Sequence, residues 1–419
     1  MNALLLLAIN LTRRCNLACA HCYLDAETLR AAAPGELTTG EVCGLLDAVA
    51  GRGDETMVVL TGGEPLIRAD LETIVSHGAG RGLAIVVGSN GTLLTERRVL
   101  SLKKAGALGV GVSLDSLDAE THDAFRGKPG AWKRTMNGIE ACRRHDLSFQ
   151  IHFTVTERTI GEIDAVIDFA KSAGARALNV FFMICTGRAA TVTNLAAERY
   201  EAVLGRLIEA QEQNPEIIIR PRCAPHVKRI AYQRAPGRPV NRISGREGDG
   251  CIAALHYCRI TPQGGVTACP YIAEEVGNIR TRPFIEIWEQ APQFEYLRRP
   301  ALEGACGICE YRRLCGGCRA RPQAAGEGLM GADHLCAYSP RGADVIEPLA
   351  DHVLAEITWS ADATGRLSHA PPFLRGLIRR RAEAYVAGLG ECEVTARHLS
   401  ELTARRFGAE APRHPGDGQ

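Results

Sequence analysis

The feature that most constrains the fold is a repeated alternation of short apolar runs and longer amphipathic stretches in the first half of the chain. Thr38 and Glu41 form a capping box ahead of the first amphipathic stretch. Six apolar runs have the length and composition of strands: 4–10, 57–61, 84–88, 109–114, 149–155 and 177–183. Alternating strands and helices predict a parallel sheet with right-handed crossovers. We therefore predict an α/β fold, a partial (β/α)6 TIM barrel.

Composition along the chain predicts four segments. The barrel is expected over residues 1–215, followed by a linker at 216–250 that is rich in Arg, Pro and Gly. Residues 251–345 are rich in cysteine and in turn-forming residues, and a small helical segment is predicted at 365–410.

Charge and hydropathy exclude several classes of function. The 419 residues carry 49 basic and 48 acidic side chains, a net charge of +1, so nothing draws the whole chain to nucleic acid. No apolar stretch is long enough to span a membrane. The apolar N-terminus has no preceding positive charges and no following cleavage site, so no signal peptide is predicted. A cytoplasmic location is expected.

Sixteen cysteines in a reducing compartment indicate metal binding more than disulfides. Eleven of them fall into two clusters: Cys15, Cys19, Cys22, and then Cys251, Cys258, Cys269, Cys306, Cys309, Cys315, Cys318 and Cys336. Most of the other five are expected to be small buried hydrophobic residues: Cys43, Cys142, Cys185, Cys223 and Cys392.

The first cluster provides three thiolates within eight residues, directly after the first predicted strand. A four-iron cluster takes four ligands, so three cysteines leave one iron open to a substrate or cosubstrate. The ends of barrel strands are also where such chemistry is usually placed. The alternative is a zinc knuckle, which would want a fourth Cys or His nearby.

The spacing of Cys15, Cys19 and Cys22, together with Gly62–Gly63–Glu64–Pro65 after the second strand, resembles the radical S-adenosylmethionine (radical SAM) family. The resemblance implies a 4Fe–4S cluster on the three cysteines. Its open iron would be chelated by SAM, and one electron would cleave SAM to a 5′-deoxyadenosyl radical. Gly62, Gly63 and Glu64 match the motif that holds the methionine amino group. Further implied SAM contacts, each of which is otherwise an ordinary loop residue, are Ser89, Asn90, Ser113, Asp115 and Arg188.

The second cluster resembles a SPASM domain, an auxiliary iron–sulfur module that follows many radical SAM barrels. Its run of cysteines has two residues between Cys315 and Cys318, where the usual pattern has three. The resemblance implies two auxiliary 4Fe–4S clusters, one on Cys251, Cys258, Cys269 and Cys318 and the other on Cys306, Cys309, Cys315 and Cys336. Two zinc sites are the alternative. This segment has few aliphatic residues, so we expect metal to hold it together.

Three stretches point to a substrate: 258–262, 269–271 and 315–321 resemble the radical SAM enzymes of siroheme-derived haem pathways. The C-terminal residues 372–407 resemble a small helical domain of the light-independent protochlorophyllide reductase. Both resemblances imply a tetrapyrrole. Basic residues that are either carboxylate receptors or a solvated face of the linker are Arg220, Arg222, His226, Lys228 and Arg229, and His226 is also a candidate axial ligand to a substrate iron.

The resulting hypothesis is a radical SAM oxidoreductase that oxidatively decarboxylates tetrapyrrole carboxylate side chains in haem biosynthesis. An electron donor such as ferredoxin or flavodoxin is implied. The first alternative is a maturase of a ribosomal peptide, since SPASM enzymes commonly modify peptides. The second is a non-catalytic iron–sulfur tetrapyrrole carrier, which would have little use for Gly62–Glu64.

Overall fold

A computed structural model describes residues 3–26, 31–54, 56–191, 195–236, 250–348, 357–370 and 391–407, with single residues between 375 and 386. The chain divides into two compact units, Met1–Pro348 and Leu349–Gln419. None of the helices among the described residues is long and apolar enough to cross a membrane.

The first unit alternates strands and helices along its N-terminal part, as the sequence predicts. Its elements are β1 (Leu6–Asn10), α1 (Thr39–Gly51), β2 (Met57–Thr61), α2 (Leu71–Gly80), β3 (Ala84–Ser89), α3 (Glu96–Ala105), β4 (Gly109–Ser113), α4 (Ala119–Arg126), α5 (Ala131–Arg144), β5 (Phe149–Val155), α6 (Ile163–Ser172), β6 (Ala177–Phe182), α7 (Ala197–Gln213), β7 (Ile218–Arg222) and α8 (His226–Arg234).

The cysteine-rich part of the same unit consists of short elements. They are β8 (Tyr257–Ile260), β9 (Gly265–Thr267), β10 (Gly277–Asn278), α9 (Phe284–Gln290), α10 (Pro292–Arg298), α11 (Gly304–Ile308) and α12 (Ala320–Ala324). The described part of the second unit contains β11 (Thr358–Trp359), α13 (Ala361–Ser368), β12 (Glu393–Val394) and α14 (Ala396–Phe407), with β11 and β12 paired in parallel.

Ten strands of the described residues form one open sheet in the order β10-β9-β8-β1-β2-β3-β4-β5-β6-β7. Strands β1 to β7 are parallel to their neighbours, and β8 pairs in parallel with β1, so the sheet continues from the barrel strands into the cysteine-rich segment. Strands β9 and β10 are antiparallel additions at that edge. The predicted α/β fold is confirmed, with the barrel left open.

The two faces of the sheet differ in character, as β5 shows. Phe149, Ile151 and Phe153 are buried in the hydrophobic core, whereas Gln150 and His152 alternate with them and keep part of their surface accessible. One face therefore packs against the helices, and the other lines the interior of the open barrel. We call the space on that inner side the lumen.

The structure differs from the predicted linker at 216–250. Residues 218–222 form β7, which pairs with β6, and residues 226–234 form α8; residues 237–249 lie outside the described residues. Pro221 and two arginines hide the strand pattern in the sequence. A proline is tolerated there because β7 is the terminal strand of the sheet and has a neighbour on one side only.

Candidate active site

The loop after β1 carries the first three cysteines at the carboxyl edge of the parallel sheet. The Cys15 sulfur accepts a hydrogen bond from the Leu17 backbone N–H (3.4 Å), and the Cys22 sulfur accepts one from Ala26 (3.4 Å). The guanidinium of Arg126 lies 3.7 Å from the Cys19 sulfur. Donors directed at sulfur stabilise the thiolate form, which is the form that binds iron.

Two neighbouring segments hold this cysteine loop in shape. The loop N–H groups of Ala18 and Ala20 donate to carbonyls at the end of α4, and a Cβ at Gly127 would come within 2.6 Å of the Ala18 oxygen. On the other side, Arg188 donates to the carbonyl oxygens of Cys19 (2.9 Å) and Ala26 (3.0 Å). Arg188, which the sequence resemblance implies as a SAM contact, is thus engaged with the loop backbone.

The Gly62–Gly63–Glu64 segment packs its backbone directly against the start of the cysteine loop. A Cβ at Gly62 would meet the Thr12 oxygen at 2.6 Å, and one at Gly63 would meet the Arg14 oxygen at 2.2 Å. The N–H groups of Gly63 and Glu64 donate to those same two oxygens, at 2.8 Å each. Both glycines are therefore required for the close approach of two backbone segments.

Glu64 is fully buried and joins the ends of β2 and β3. Its carboxylate accepts hydrogen bonds from Ser89 Oγ (2.9 Å), the Asn90 backbone N–H (2.8 Å) and the Leu66 N–H (3.1 Å). Burial raises the pKa of Glu64 to about 7, despite these donors. Asn90 in turn donates to Asn16 Oδ1 (2.9 Å) and lies 3.9 Å from the Cys15 sulfur. The predicted residues Glu64, Ser89 and Asn90 are thus brought together beside Cys15.

Asp115, another predicted SAM contact, forms a buried ion pair. Its Oδ2 lies 2.5 Å from Arg126 Nη2, and its Oδ1 accepts from the Thr154 N–H (3.1 Å). Although burial opposes ionisation, Arg126 holds the pKa of Asp115 below its usual value. Arg126 thereby connects Asp115 to Cys19. Ser113 ends β4 on the lumen face, beside Gly111, which packs under His152.

Sequence reasoning missed Arg126. Burial lowers its pKa, but Asp115 and Cys19 raise it more, so the guanidinium stays charged next to the cysteine loop. Its position one residue before the glycine that ends α4 carried no signal, since arginine is common in the last turn of a helix.

The lumen contains two arginines that lack a carboxylate partner among the described residues. Arg222 at the end of β7 donates to Asn179 Oδ1 (2.9 Å), and Arg259 on β8 donates to Thr267 Oγ1 (3.0 Å) and the Pro270 oxygen (3.1 Å). Burial lowers the pKa of Arg222. Arg222 lies deep in the protein yet keeps accessible surface, which is typical of a residue that lines a cavity.

Three tyrosines lie beside these arginines. Tyr23 follows Cys22 and packs edge-to-face on Tyr271 with ring centroids 5.5 Å apart, and the Arg259 guanidinium lies 5.9 Å from its ring. Tyr257 shares the lumen face of β8 with Arg259. The loop of the first cysteines and the cysteine-rich segment therefore meet in the lumen.

The other predicted basic residues are placed differently. Lys228 and Arg229 are buried on α8, and Arg229 pairs with Glu201. His226 is buried against Tyr200, with its Nδ1 2.9 Å from the Tyr200 hydroxyl and its Nε2 3.7 Å from Asp333. These residues form neither a solvated face nor a linker. Arg220 lies on β7 two residues before Arg222 and therefore on the same face of the strand.

One predicted group of auxiliary cysteines lines a cavity. Cys306, Cys309, Cys315 and Cys336 all line the same cavity. Burial is the main reason that the pKa of Cys315 is raised, and the charges of Cys306 and Cys336 raise it further, so these thiols lie close together.

The other predicted group comes together only in part. Cys251 and Cys318 lie close enough for each to shift the pKa of the other's thiol, and Cys318 also raises the pKa of Cys269. Cys258 is fully buried in the main hydrophobic core, where besides burial only Arg298 shifts the pKa of its thiol. The structure thus brings together Cys251, Cys269 and Cys318 without Cys258.

The donor sets fit iron–sulfur clusters. Burial raises the pKa of Cys15 to about 11, so a positively charged group is needed to hold this buried thiol as a thiolate. Among the described residues no three Cys, His, Asp or Glu side chains are close enough to hold a single ion. The candidate ligands at all three predicted sites are free thiols, and cysteine thiolates are the usual protein ligands of iron–sulfur clusters.

An open parallel sheet with a three-cysteine loop at its carboxyl edge and a cysteine-rich extension defines a radical SAM enzyme. Three family models match: the radical SAM superfamily over residues 9–170, the SPASM iron–sulfur cluster-binding domain over 251–318, and the proto-chlorophyllide reductase 57 kD subunit over 359–402.

Relatives place the chain more narrowly. It is 42% identical over 345 residues to the AdoMet-dependent heme synthase of Methanosarcina barkeri, covering 81% of this chain and 98% of that one. It is 29% identical over 345 residues to the mycofactocin maturase MftC of Mycobacterium ulcerans, covering 80% and 88%. SuiB of Streptococcus suis, solved with S-adenosylmethionine, shares the fold with a TM-score of 0.65 and 18% identity, covering 80% and 78%. The chain belongs to the radical SAM superfamily, in the family of the AdoMet-dependent haem synthases, and it binds iron–sulfur clusters and SAM.

Proposed function

We propose that this enzyme oxidatively decarboxylates propionate-type side chains of an iron-porphyrin, in haem-type cofactor biosynthesis. The relative with 42% identity over 98% of its own length is a haem synthase, which supports a tetrapyrrole substrate. The observation that carries the proposal is Arg222, a deeply placed guanidinium in the lumen without a carboxylate partner among the described residues.

Arg222 and Arg259 are suited to bind the carboxylates of such a substrate. A buried charge is costly unless it is paired, so each guanidinium favours an incoming carboxylate. Arg222 has one donor fixed by Asn179, which sets the plane of the guanidinium and leaves its remaining N–H groups for a bidentate contact. Asn179 is itself held by Gln150 (2.8 Å).

The aromatic residues of the lumen suit a flat, apolar macrocycle. Tyr23, Tyr257 and Tyr271 offer ring faces next to Arg259, and His152 packs between Gly111 and Phe181. Burial lowers the pKa of His152 to about 4, so it stays neutral and adds no charge opposite the macrocycle. A planar substrate with acidic side chains matches this combination of neutral aromatic walls and two cations.

The cofactors supply the radical chemistry, and the residues of the chain bind and position them. When bound, SAM and the clusters supply hydrogen-atom abstraction from the carbon β to the carboxylate and an acceptor for the electron released with carbon dioxide. The chain holds the methionine part of SAM near Gly62, Gly63 and Glu64, and its adenosine part near Ser89, Asn90 and Ser113. Asp115 and Arg126 position the Cys19 side of the loop, and Arg188 fixes the loop backbone. Electrons would come from a ferredoxin or flavodoxin in the cytoplasm.

The test is anaerobic incubation of the iron-loaded enzyme with SAM, dithionite and iron-coproporphyrin III, followed by mass spectrometry. Each converted side chain is expected to lose one carbon dioxide and two hydrogens, with one 5′-deoxyadenosine formed per side chain. Deoxyadenosine without any change in porphyrin mass would rule out the substrate while leaving SAM cleavage intact.

A peptide maturase is the second candidate, supported by the 29% identity to MftC. It predicts a mass change in a small peptide encoded beside the gene and none in the porphyrin. The haem synthase is more similar and is matched over more of its length, so the porphyrin is the substrate we favour.

A further inference from the structure

Cys223 directly follows the barrel strand β7, in a conformation that cysteine seldom adopts. It follows Arg222 directly and has a φ of +57°, in the left-handed region. A non-glycine residue there is uncommon, and such strain persists where the surroundings fix the residue in place. The sequence gives no reason for it, because Cys223 stands apart from both cysteine clusters.

The buried ion pair between Arg321 and Asp333 holds the backbone at Cys223 and at Cys318. Arg321 donates to the carbonyl oxygen of Cys223 and also, at 2.7 Å, to Asp333 Oδ2. The same Asp333 oxygen accepts the Cys318 backbone N–H at 2.7 Å. Cys223 and Cys318 are thus attached to the two ends of one Arg–Asp pair, although they are far apart in sequence.

The thiol of Cys223 faces the cysteines of the auxiliary group. Tyr271, two residues after Cys269, lies close enough to Cys223 for its hydroxyl to lower the pKa of that thiol against the effect of burial. Cys269 lies close enough to both Cys223 and Cys318 for their charges to act on its thiol, and Cys318 also shifts the pKa of Cys251. Together with the Arg321–Asp333 pair that joins the backbones of Cys223 and Cys318, these interactions place four cysteines in one region: one directly after β7, one before β8, one after β9 and one before α12.

Cys258 lies on the opposite side of the sheet. Successive side chains of a strand point to opposite faces, and its neighbours Tyr257 and Arg259 face the lumen, where Arg259 contacts Tyr23. Cys258 therefore points to the helix-covered face, toward Arg298 of α10, which stacks on Trp288. No modest rotation brings its sulfur back through the strand to Cys269.

We propose that Cys223, Cys251, Cys269 and Cys318 are the four protein ligands of one auxiliary 4Fe–4S cluster, and that Cys258 is a core residue. The assignment depends on the cysteine-rich domain binding iron and is independent of the substrate. It places the cluster directly after Arg222, so that the residue proposed to bind a substrate carboxylate and a cluster ligand are adjacent in the chain.

The experiment compares Cys223→Asn with Cys258→Ala, both reconstituted anaerobically with iron and sulfide in the full chain. Asparagine tolerates the left-handed conformation, so the backbone at 223 is preserved. If three four-iron clusters are present, Cys223→Asn is expected to lose about one third of the iron and sulfide. The electron paramagnetic resonance (EPR) signal that shifts on SAM addition should remain. Cys258→Ala should keep the full iron content.

Full iron content in Cys223→Asn, or loss of one cluster in Cys258→Ala, would overturn the assignment. If Cys223→Asn is insoluble, Cys223→Ser decides, because a serine oxygen can replace the thiolate. Its auxiliary EPR signal is expected to shift in g value while the SAM-responsive signal does not, and an unchanged spectrum would refute the ligand role. The buried Cys142, which lies in the barrel core, provides a matched control as Cys142→Ala.

Discussion

Glu64 shows how one carboxylate organises the SAM side of the site. It ties the ends of β2 and β3 together through Ser89 and Asn90, and it lies beside the backbone that contacts the cysteine loop. The resemblance identified this residue from the sequence, but not its hydrogen bonds, because Ser89 and Asn90 are 25 and 26 positions away in sequence.

Replacing Glu64 by Gln tests this arrangement. The amide turns one acceptor oxygen into a donor facing Ser89 or Asn90, so we expect SAM affinity to fall about tenfold or more. Because burial raises the pKa of Glu64 to about 7, the wild-type affinity for the SAM ammonium should rise as pH increases through 7. SAM titration monitored by EPR from pH 6 to 8 measures both effects. A steep pH dependence retained in the variant would assign it to another group.

The raised pKa of Glu64 also affects the stability of the fold, which should fall with rising pH whereas SAM affinity rises. A carboxyl with a folded-state pKa above its unfolded value binds its proton more tightly when folded, so its contribution falls as pH rises from about 4.5 to about 7. SAM-free wild type should therefore lose stability relative to Glu64→Gln over that window, as thermal unfolding at several pH values would show. Parallel curves for the two proteins would contradict the buried position of Glu64.

Arg222 is the residue on which substrate recognition depends. Removing its charge with Arg222→Met leaves a substrate carboxylate unpaired in the lumen, which costs about 1.5–3 kcal/mol, or roughly 10- to 150-fold in KM for iron-coproporphyrin. SAM cleavage in the absence of substrate should be unchanged. Arg158→Met, on the exposed surface, is the matched control. A variant with normal KM would show that the carboxylates bind elsewhere.

At the scale of elements, the sequence predicted the strands with a strong apolar pattern and missed β7, whose pattern is atypical. Strands β2 and β5 have the predicted bounds, because both are bounded by clear turn signals and β5 alternates regularly. Strand β7 was not recognised in the sequence because Pro221 and two arginines interrupt its apolar pattern. The arginines face inward only because β7 joins the sheet. The same limit applies to Cys223 and Arg126, since contacts across the sheet are not periodic in sequence.

The capping box of α1 joins this helix to the cysteine-rich segment. Thr38 accepts from the Glu41 N–H, and Glu41 also pairs with Arg280. We expect Thr38→Ala to destabilise the unit by about 1 kcal/mol, measured as a lower unfolding temperature. Arg280 and Thr38 hold the pKa of Glu41 at about 2. The stability that the ionised Glu41 carboxylate contributes should therefore be lost as pH falls from about 4.5 toward 2. Ser172→Ala, at an exposed helix end, should have little effect, and an equal loss in both variants would contradict the cap.

At the scale of the whole first unit, the cysteine-rich segment is held in two different ways. Strand β8 continues the main sheet beside β1, and helices α9 and α10 bury Trp288 and Phe294 in the main core. The sequence suggested that metal holds the entire segment, but this half is also held by the main hydrophobic core, which it joins. Residues 304–336 contribute fewer large side chains to that core, chiefly Leu329, Met330 and Leu335, and consist of two five-residue helices and loops around the cysteine-lined cavity.

Iron removal should therefore loosen only the second of these halves. A chain segment without a large apolar core depends on its metal ligands for folding, whereas β8, α9 and α10 stay bonded to β1 and packed in the core. Hydrogen exchange measured by mass spectrometry, with and without iron under anaerobic conditions, should show exchange faster by about tenfold or more in residues 304–336 and little change in 257–298. The barrel strand β3, remote from the cysteine-rich segment in the sheet order, serves as the internal reference. Equal loss of protection in both halves would mean that the clusters, and not the continued sheet, hold the whole segment to the barrel.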